Sequence, residues 1–133
     1  MKKILAIALM LTFILAFASC AKLPEDPVDL GKKLVKEYGD DVEIYIMMGE
    51  DSIQYIAKTF DIDDDGVYAV VEVETSDDGI AYVIYCEKTS QAKDVEKDCE
   101  DALEKFEDDA DDYVVKRNGK VVFIGHEDIL DKL

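Results

Sequence analysis

The stretch that decides the fold is VYAVVEVET, residues 67–75. Four valines in its first seven residues favour extended backbone, because β-branched side chains are restricted in helices. The turn-forming sequence SDDG at 76–79 then leads into a second apolar run at 80–87, so we predict a β-hairpin. As a strand, the first run sorts its side chains onto two faces: Val67, Ala69, Val71, Val73 and Thr75 on one, and Tyr68, Val70, Glu72 and Glu74 on the other.

Helical and extended patterns alternate on either side of this hairpin. Asn118-Gly119 stands between two valine-rich runs and predicts a second hairpin with a two-residue loop, in which Val115 opposes Val122. The remaining predicted elements are a helix over 28–38, a strand over 41–48, a helix over 50–60, the main helix over 90–110 and a short closing helix over 126–133.

The order of these elements predicts an α+β fold. From Asp41 to Arg117 it has the βαββαβ rhythm of a ferredoxin-like split unit, and 120–125 adds a further strand. We predict a single two-layer domain over 28–133, with a mostly antiparallel sheet of about five strands and helices on one face.

The acidic run directly before the decisive strand, DIDDDG at 61–66, matches part of a calcium-binding pattern. Asp61, Asp63, Asp65, Gly66 and Glu72 occupy positions 1, 3, 5, 6 and 12 of an EF-hand loop. In an EF-hand, a helix brings the last glutamate back to the ion. If 67–75 is a strand, Glu72 lies about 20 Å beyond the glycine and cannot close such a site.

Two interpretations of the loop remain. Asp61, Asp63 and Asp65 could form an open calcium site, which millimolar extracellular calcium would occupy even at low affinity. Alternatively, the loop is a helix-to-strand turn, in which Gly66 supplies an unusual φ and the aspartates accept hydrogen bonds from nearby backbone donors.

The N-terminal segment predicts export. Lys2 and Lys3 precede an uncharged apolar run, Ile4 to Ala18, which is shorter than the ~20 residues that a membrane-spanning helix needs. The run ends in Phe17-Ala18-Ser19-Cys20, which resembles the lipobox of bacterial lipoproteins. Phe17 stands where that family usually has leucine or another aliphatic residue.

This resemblance implies a signal peptide at 1–19, a lipidated Cys20 and a short linker over 20–27. The cysteine would carry a diacylglyceryl thioether with palmitate-type chains, and two acyl chains hold a protein stably on a membrane. In layout, the chain is also loosely similar to small acidic lipoproteins of Firmicutes. The expected location is the outer face of a bacterial cell membrane.

Charge restricts the partners of the domain. The chain has 15 basic and 32 acidic side chains and a net charge of −17, and removal of Lys2 and Lys3 lowers the charge to −19. Such a surface repels nucleic acid and attracts cations and basic partners. The two cysteines after Cys20 are Cys86 and Cys99, and their predicted positions on a strand and a helix place them too far apart for a disulfide.

The sequence contains no recognisable catalytic constellation. His126 is the single histidine, and its place before the closing helix is typical of a surface or cap residue. No serine or cysteine lies in a motif that supplies a base and an orienting acid. We therefore expect a non-enzymatic binding or interaction domain without a cofactor. The alternative is a calcium-binding module that uses the DIDDDG loop.

Overall fold

The computed structural model describes residues 23–105 and 112–133. Cys20, the predicted signal peptide and the 106–110 part of the predicted main helix lie outside these ranges. The order of the elements is the predicted one. The elements are α1 (Pro27–Tyr38), a 3-10 turn (Gly39–Asp41), β1 (Val42–Met47), α2 (Glu50–Phe60), β2 (Val67–Thr75), β3 (Gly79–Cys86), α3 (Thr89–Lys105), β4 (Tyr113–Asn118), β5 (Val121–His126) and α4 (Glu127–Asp131).

The described strands form one five-stranded antiparallel sheet in the order β1-β2-β3-β5-β4. The predicted α+β class is thus confirmed. The hairpin of β2 and β3 is also present, with Thr75 opposite Gly79. The order of elements along the chain is that of a ferredoxin-like unit, but the strand pairing is not. β1 and β2 are antiparallel neighbours and do not form a parallel βαβ pair.

Helices cover both faces of the sheet, so the prediction of helices on one face was wrong. The central strands carry apolar residues at consecutive positions, as at Val70-Val71 and Ile84-Tyr85, and each of these residues is buried. A strand of this kind needs cover on both sides. On the α1 face, α1 and α4 pack over Ala69, Val71, Val73, Val83, Tyr85 and Phe123. On the α3 face, α2 and α3 pack over Val70, Ile84, Cys86, Val122 and Ile124.

The chain is attached to the domain from Leu23 onward. Leu23 is buried in the cluster on the α1 face, and the Tyr85 hydroxyl donates a hydrogen bond to the Pro24 carbonyl at 3.0 Å. Asp26 then caps α1 by accepting from the backbone N–H of Val28 at 2.8 Å. Within the predicted 20–27 linker, Leu23, Pro24 and Asp26 therefore contact the domain.

The β4–β5 hairpin turns one residue later than predicted. Its loop residues are Gly119 and Lys120, so Val115 lies opposite Ile124 and not Val122. Gly119 has a φ of 59°, which suits the first central position of a type II′ turn. The sequence predicted the hairpin and its glycine, but the predicted loop began one residue too early.

Candidate functional site

The acidic loop at 61–66 is held by the end of α2. Asp61 ends this helix in the left-handed conformation, with φ 53° and ψ 45°, and the next backbone N–H, that of Ile62, donates to the Ala57 carbonyl at 2.9 Å. The Ile62 side chain is buried in the cluster on the α3 face. The loop is thus fixed at both its backbone and its one apolar side chain.

The carboxylates of this loop contact neighbouring donors. Asp61 lies 3.6 Å from the Lys105 ammonium group. Asp63 accepts a hydrogen bond from the backbone N–H of Asp65 at 3.0 Å and donates its own N–H to Asp98 at 3.4 Å. The hydrogen bond from the Asp65 N–H to Asp63 is the kind of contact that the turn interpretation predicts for aspartates between a helix and a strand.

Gly66 completes the turn into β2. Its φ is 81°, and an added Cβ would lie 2.1 Å from the Gln91 side chain. The backbone conformation explains the glycine at this position, whereas the flexible Gln91 side chain could move away from a Cβ.

Glu72 lies along the strand and away from the loop, as the sequence predicted. It lies within β2, opposite Tyr45 of β1 and Tyr82 of β3. The strand therefore excludes an EF-hand closed by Glu72. Among the described residues, no group of three or more His, Cys, Asp or Glu side chains is arranged to hold a metal ion. An open site built from Asp61, Asp63 and Asp65 stays a prediction.

A thermal melt in chelator, millimolar calcium and millimolar magnesium tests that open site. We expect the two ions to raise the unfolding midpoint equally and weakly, because they would only screen the acidic surface. A variant with Asp61, Asp63 and Asp65 changed to Asn should show the same small response to either ion. A calcium shift well above the magnesium shift, lost in this variant, would establish a calcium site.

The structure contains a second acidic cluster, which the sequence did not predict. It lies on the α3 face at the β1 side of the sheet, where Glu43 of β1 opposes Glu74 of β2, and Tyr45 opposes Glu72. The Tyr45 hydroxyl donates to Glu43 at 2.7 Å. Alternate glutamates at 72 and 74 were visible in the sequence, but the register that places Glu43 beside them was not.

These carboxylates influence one another and the adjacent tyrosine. Burial, and then the negative charge of Glu74, raise the pKa of Glu72 above its usual value. Burial and the charge of Glu72 together raise the pKa of Tyr82 to about 12. The cluster is therefore a region of concentrated negative charge at the border between the core and the solvent.

His126 has the cap role that its position predicted. Its Nδ1 accepts a hydrogen bond from the backbone N–H of Asp128 at 3.3 Å, at the start of α4. Tyr113 packs edge-on against the imidazole ring at 6.0 Å between centroids. The one histidine of the chain is thus the last residue of β5 and the N-cap of α4.

Cys86 and Cys99 are buried free thiols, as predicted. Both belong to the cluster on the α3 face. Burial raises the pKa of Cys86 to about 11 and that of Cys99 to about 12. They act as small apolar side chains.

The raised pKa values make the reactivity of these thiols depend on folding. In a Cys20→Ala chain at pH 8, we expect Cys86 and Cys99 to react with an aromatic disulfide reagent at least about 100-fold more slowly than in denaturant, since only the thiolate attacks. The rate should rise with pH toward 11. Rapid labelling of either thiol in the folded chain would contradict the buried positions.

Comparison with known proteins gives no relatives. No protein family, no curated protein and no solved structure matches this chain. In the part of the chain that the structure describes, no helix is both long enough and apolar enough to cross a membrane.

Proposed function

We propose that this protein is a bacterial lipoprotein, anchored by Cys20 to the outer face of the cell membrane, whose domain binds a partner without catalysing a reaction. The observation that carries the proposal is the N-terminal sequence: two lysines, an apolar run too short to span a bilayer, and Phe17-Ala18-Ser19-Cys20 at its end. The combination is typical of a lipoprotein signal.

The docking of Leu23 supports a domain held close to the bilayer. Three residues of chain reach at most about 11 Å, so a lipid on Cys20 would keep the buried Leu23 side chain near the headgroups. Leu23 lies beside Tyr68 and the β4–β5 loop at Gly119 and Lys120. This end of the sheet would face the membrane.

The charge and the side chains of the domain favour binding over catalysis. A net charge of −19 after export attracts basic partners and cations. His126 is engaged in capping α4, and burial keeps the Cys86 and Cys99 thiols protonated. These are the groups that most often act as bases and nucleophiles.

Membrane fractionation tests the anchoring. In a bacterial host, we expect the full chain in the membrane pellet after washes with 1 M salt and with alkaline carbonate, and in the soluble phase only after detergent. Release by salt alone would indicate attachment through charge, and would contradict a lipid anchor.

A further inference from the structure

Strand β1 is an open edge of the sheet. It pairs with β2 on one side, and in the order β1-β2-β3-β5-β4 no strand of the described residues pairs with its other side. Natural sheets usually protect such edges with lysine, proline, a bulge or a covering segment. The β1 sequence VEIYIM contains neither lysine nor proline, and its register with β2 is continuous.

The free edge presents unpaired backbone groups. Ser76 donates to the Asp41 carbonyl at 3.1 Å, which makes 41 and 76 a hydrogen-bonded pair. Because such pairs alternate along an antiparallel ladder, Val42, Ile44 and Ile46 direct their N–H and C=O groups away from β2. Within residues 23–105 and 112–133, no hydrogen bond reaches these outward groups.

The α1 side of this edge is apolar. Gly31 of α1 faces β1, since a Cβ built there would lie 3.7 Å from Ile46. Val28 and Val35 flank this glycine at spacings of three and four residues, on the same face of the helix, and both are about half exposed. Ile46 is 40% exposed. Apolar side chains of an added strand would contact this surface.

The α3 side of the same edge is acidic. Glu43, Glu72 and Glu74 lie together there, with the ring of Tyr45 beside them, 48% exposed. An added strand would project alternate side chains to this side. Basic side chains at those positions would meet three carboxylates.

We propose that β1 binds an extended segment of a partner protein, which adds to the sheet as an antiparallel strand. In this segment, lysine or arginine alternates with apolar residues: the basic side chains face Glu43, Glu72 and Glu74, and the apolar ones face Ile44, Ile46 and α1. Backbone pairing supplies affinity, and the two unlike sides supply selectivity. The inference rests on the proposed function, because it names the class of partner.

A second copy of the chain fits this edge poorly. Pairing β1 with itself would bring two Glu43 side chains to one interface and two domains of strong negative charge together. A basic segment would instead be attracted to the negative charge at this edge. Charge complementarity therefore selects a partner other than the chain itself.

Binding of synthetic peptides to the full chain, purified in detergent micelles, tests the proposal by fluorescence anisotropy. The probe is a nine-residue peptide in which lysine alternates with valine. Two control peptides have the same side chains. One carries N-methyl groups on the backbone of its valines, and the other carries them on the backbone of its lysines. In the antiparallel arrangement, the valines pair with Val42, Ile44 and Ile46, so their methylation should reduce affinity at least tenfold, and methylation of the lysines should leave it nearly unchanged.

Matched variants separate this edge from general charge attraction. In the double variant Glu43→Gln and Glu74→Gln, the affinity for the unmodified peptide should fall at least tenfold. Asp94→Asn with Glu100→Gln removes the same charge from exposed positions of α3 and should change affinity less than twofold. Ile46→Pro removes an outward N–H, which edge strands tolerate, and should also abolish binding.

The proposal would be overturned if all three peptides bound with equal affinity, or if both double variants lost affinity equally. It would also be overturned if the unmodified peptide did not bind. A dimer of the full chain in analytical ultracentrifugation, broken by Ile46→Pro, would overturn it too by placing a second copy on β1. Failure of the anchoring experiment leaves the peptide result unaffected, and failure of peptide binding leaves the anchor intact. The two claims are therefore tested separately.

Discussion

Replacing Gly125 with alanine should lower the free energy of unfolding by about 3 kcal/mol. Gly125 lies in β5, opposite Ala81 of β3 and Val114 of β4. A Cβ at this position would lie 2.4 Å from the Ala81 Cα and 2.8 Å from the Ile80 carbonyl oxygen. These are backbone atoms, which cannot rotate away, so β5 has to shift relative to β3.

Such a shift would affect two ladders, because β5 lies between β3 and β4. In a thermal melt, about 3 kcal/mol in a domain of this size corresponds to a fall in midpoint of roughly 10–20 °C. Gly49→Ala is the matched control, because no atom lies within 4 Å of the added Cβ. Gly49 is the N-cap of α2, so the midpoint should fall only slightly. Equal midpoints for the two variants would contradict the described pairing of β3 with β5.

Cys20→Ala should abolish incorporation of labelled palmitate into the protein. Under the proposed function, the Cys20 sulfur would carry the diacylglyceryl group, and no other side chain would replace it. Under the same proposal, two acyl chains on this residue would supply the stable attachment to the membrane. The loss of palmitate label should be complete.

Cys86→Ala and Cys99→Ala are the controls for this experiment. Both thiols are buried in the core between the sheet and α3, where an acyl chain has no access. Each variant should keep its palmitate label at the level of the unchanged chain, with a modest loss of stability from the smaller side chain. Label that survives Cys20→Ala would show a different acylation site.

The sequence predicted the elements of the fold well, because each has a strong local signal. The run VYAVVEVET is β2, with Thr75 opposite Gly79 across the predicted turn. Within the described residues, the periodic helices appear where the apolar spacing placed them. The acidic loop also has its predicted turn contacts, as in the hydrogen bond from the Asp65 N–H to Asp63.

Features that depend on pairing across the sheet were predicted poorly. Val70 and Val71 are adjacent and point to opposite faces, and both are buried. An antiparallel sheet often has one face in solvent, which is the arrangement implied by the prediction of helices on one face. The β4–β5 register was wrong by two residues, because the turn uses Gly119 at its first position. A displacement of one residue in a turn changes every partner along the strands.

The acidic side of the β1 edge could not be found from sequence for the same reason. Glu43 and Glu74 are 31 positions apart and become neighbours only through the β1–β2 register. In a chain with 32 acidic residues, isolated glutamates carry little information. They become informative because they lie beside the open edge of β1, and only the pairing of the strands reveals that position.

The mass of the intact mature protein, purified from bacterial membranes in detergent, tests the central claim most directly. We predict a chain that begins at Cys20 and carries the added mass of a diacylglyceryl group, which moves to the N-terminal peptide after digestion. A chain of unmodified mass that begins at any other residue, or that still contains the signal segment, would contradict the account of this protein as a lipid-anchored domain.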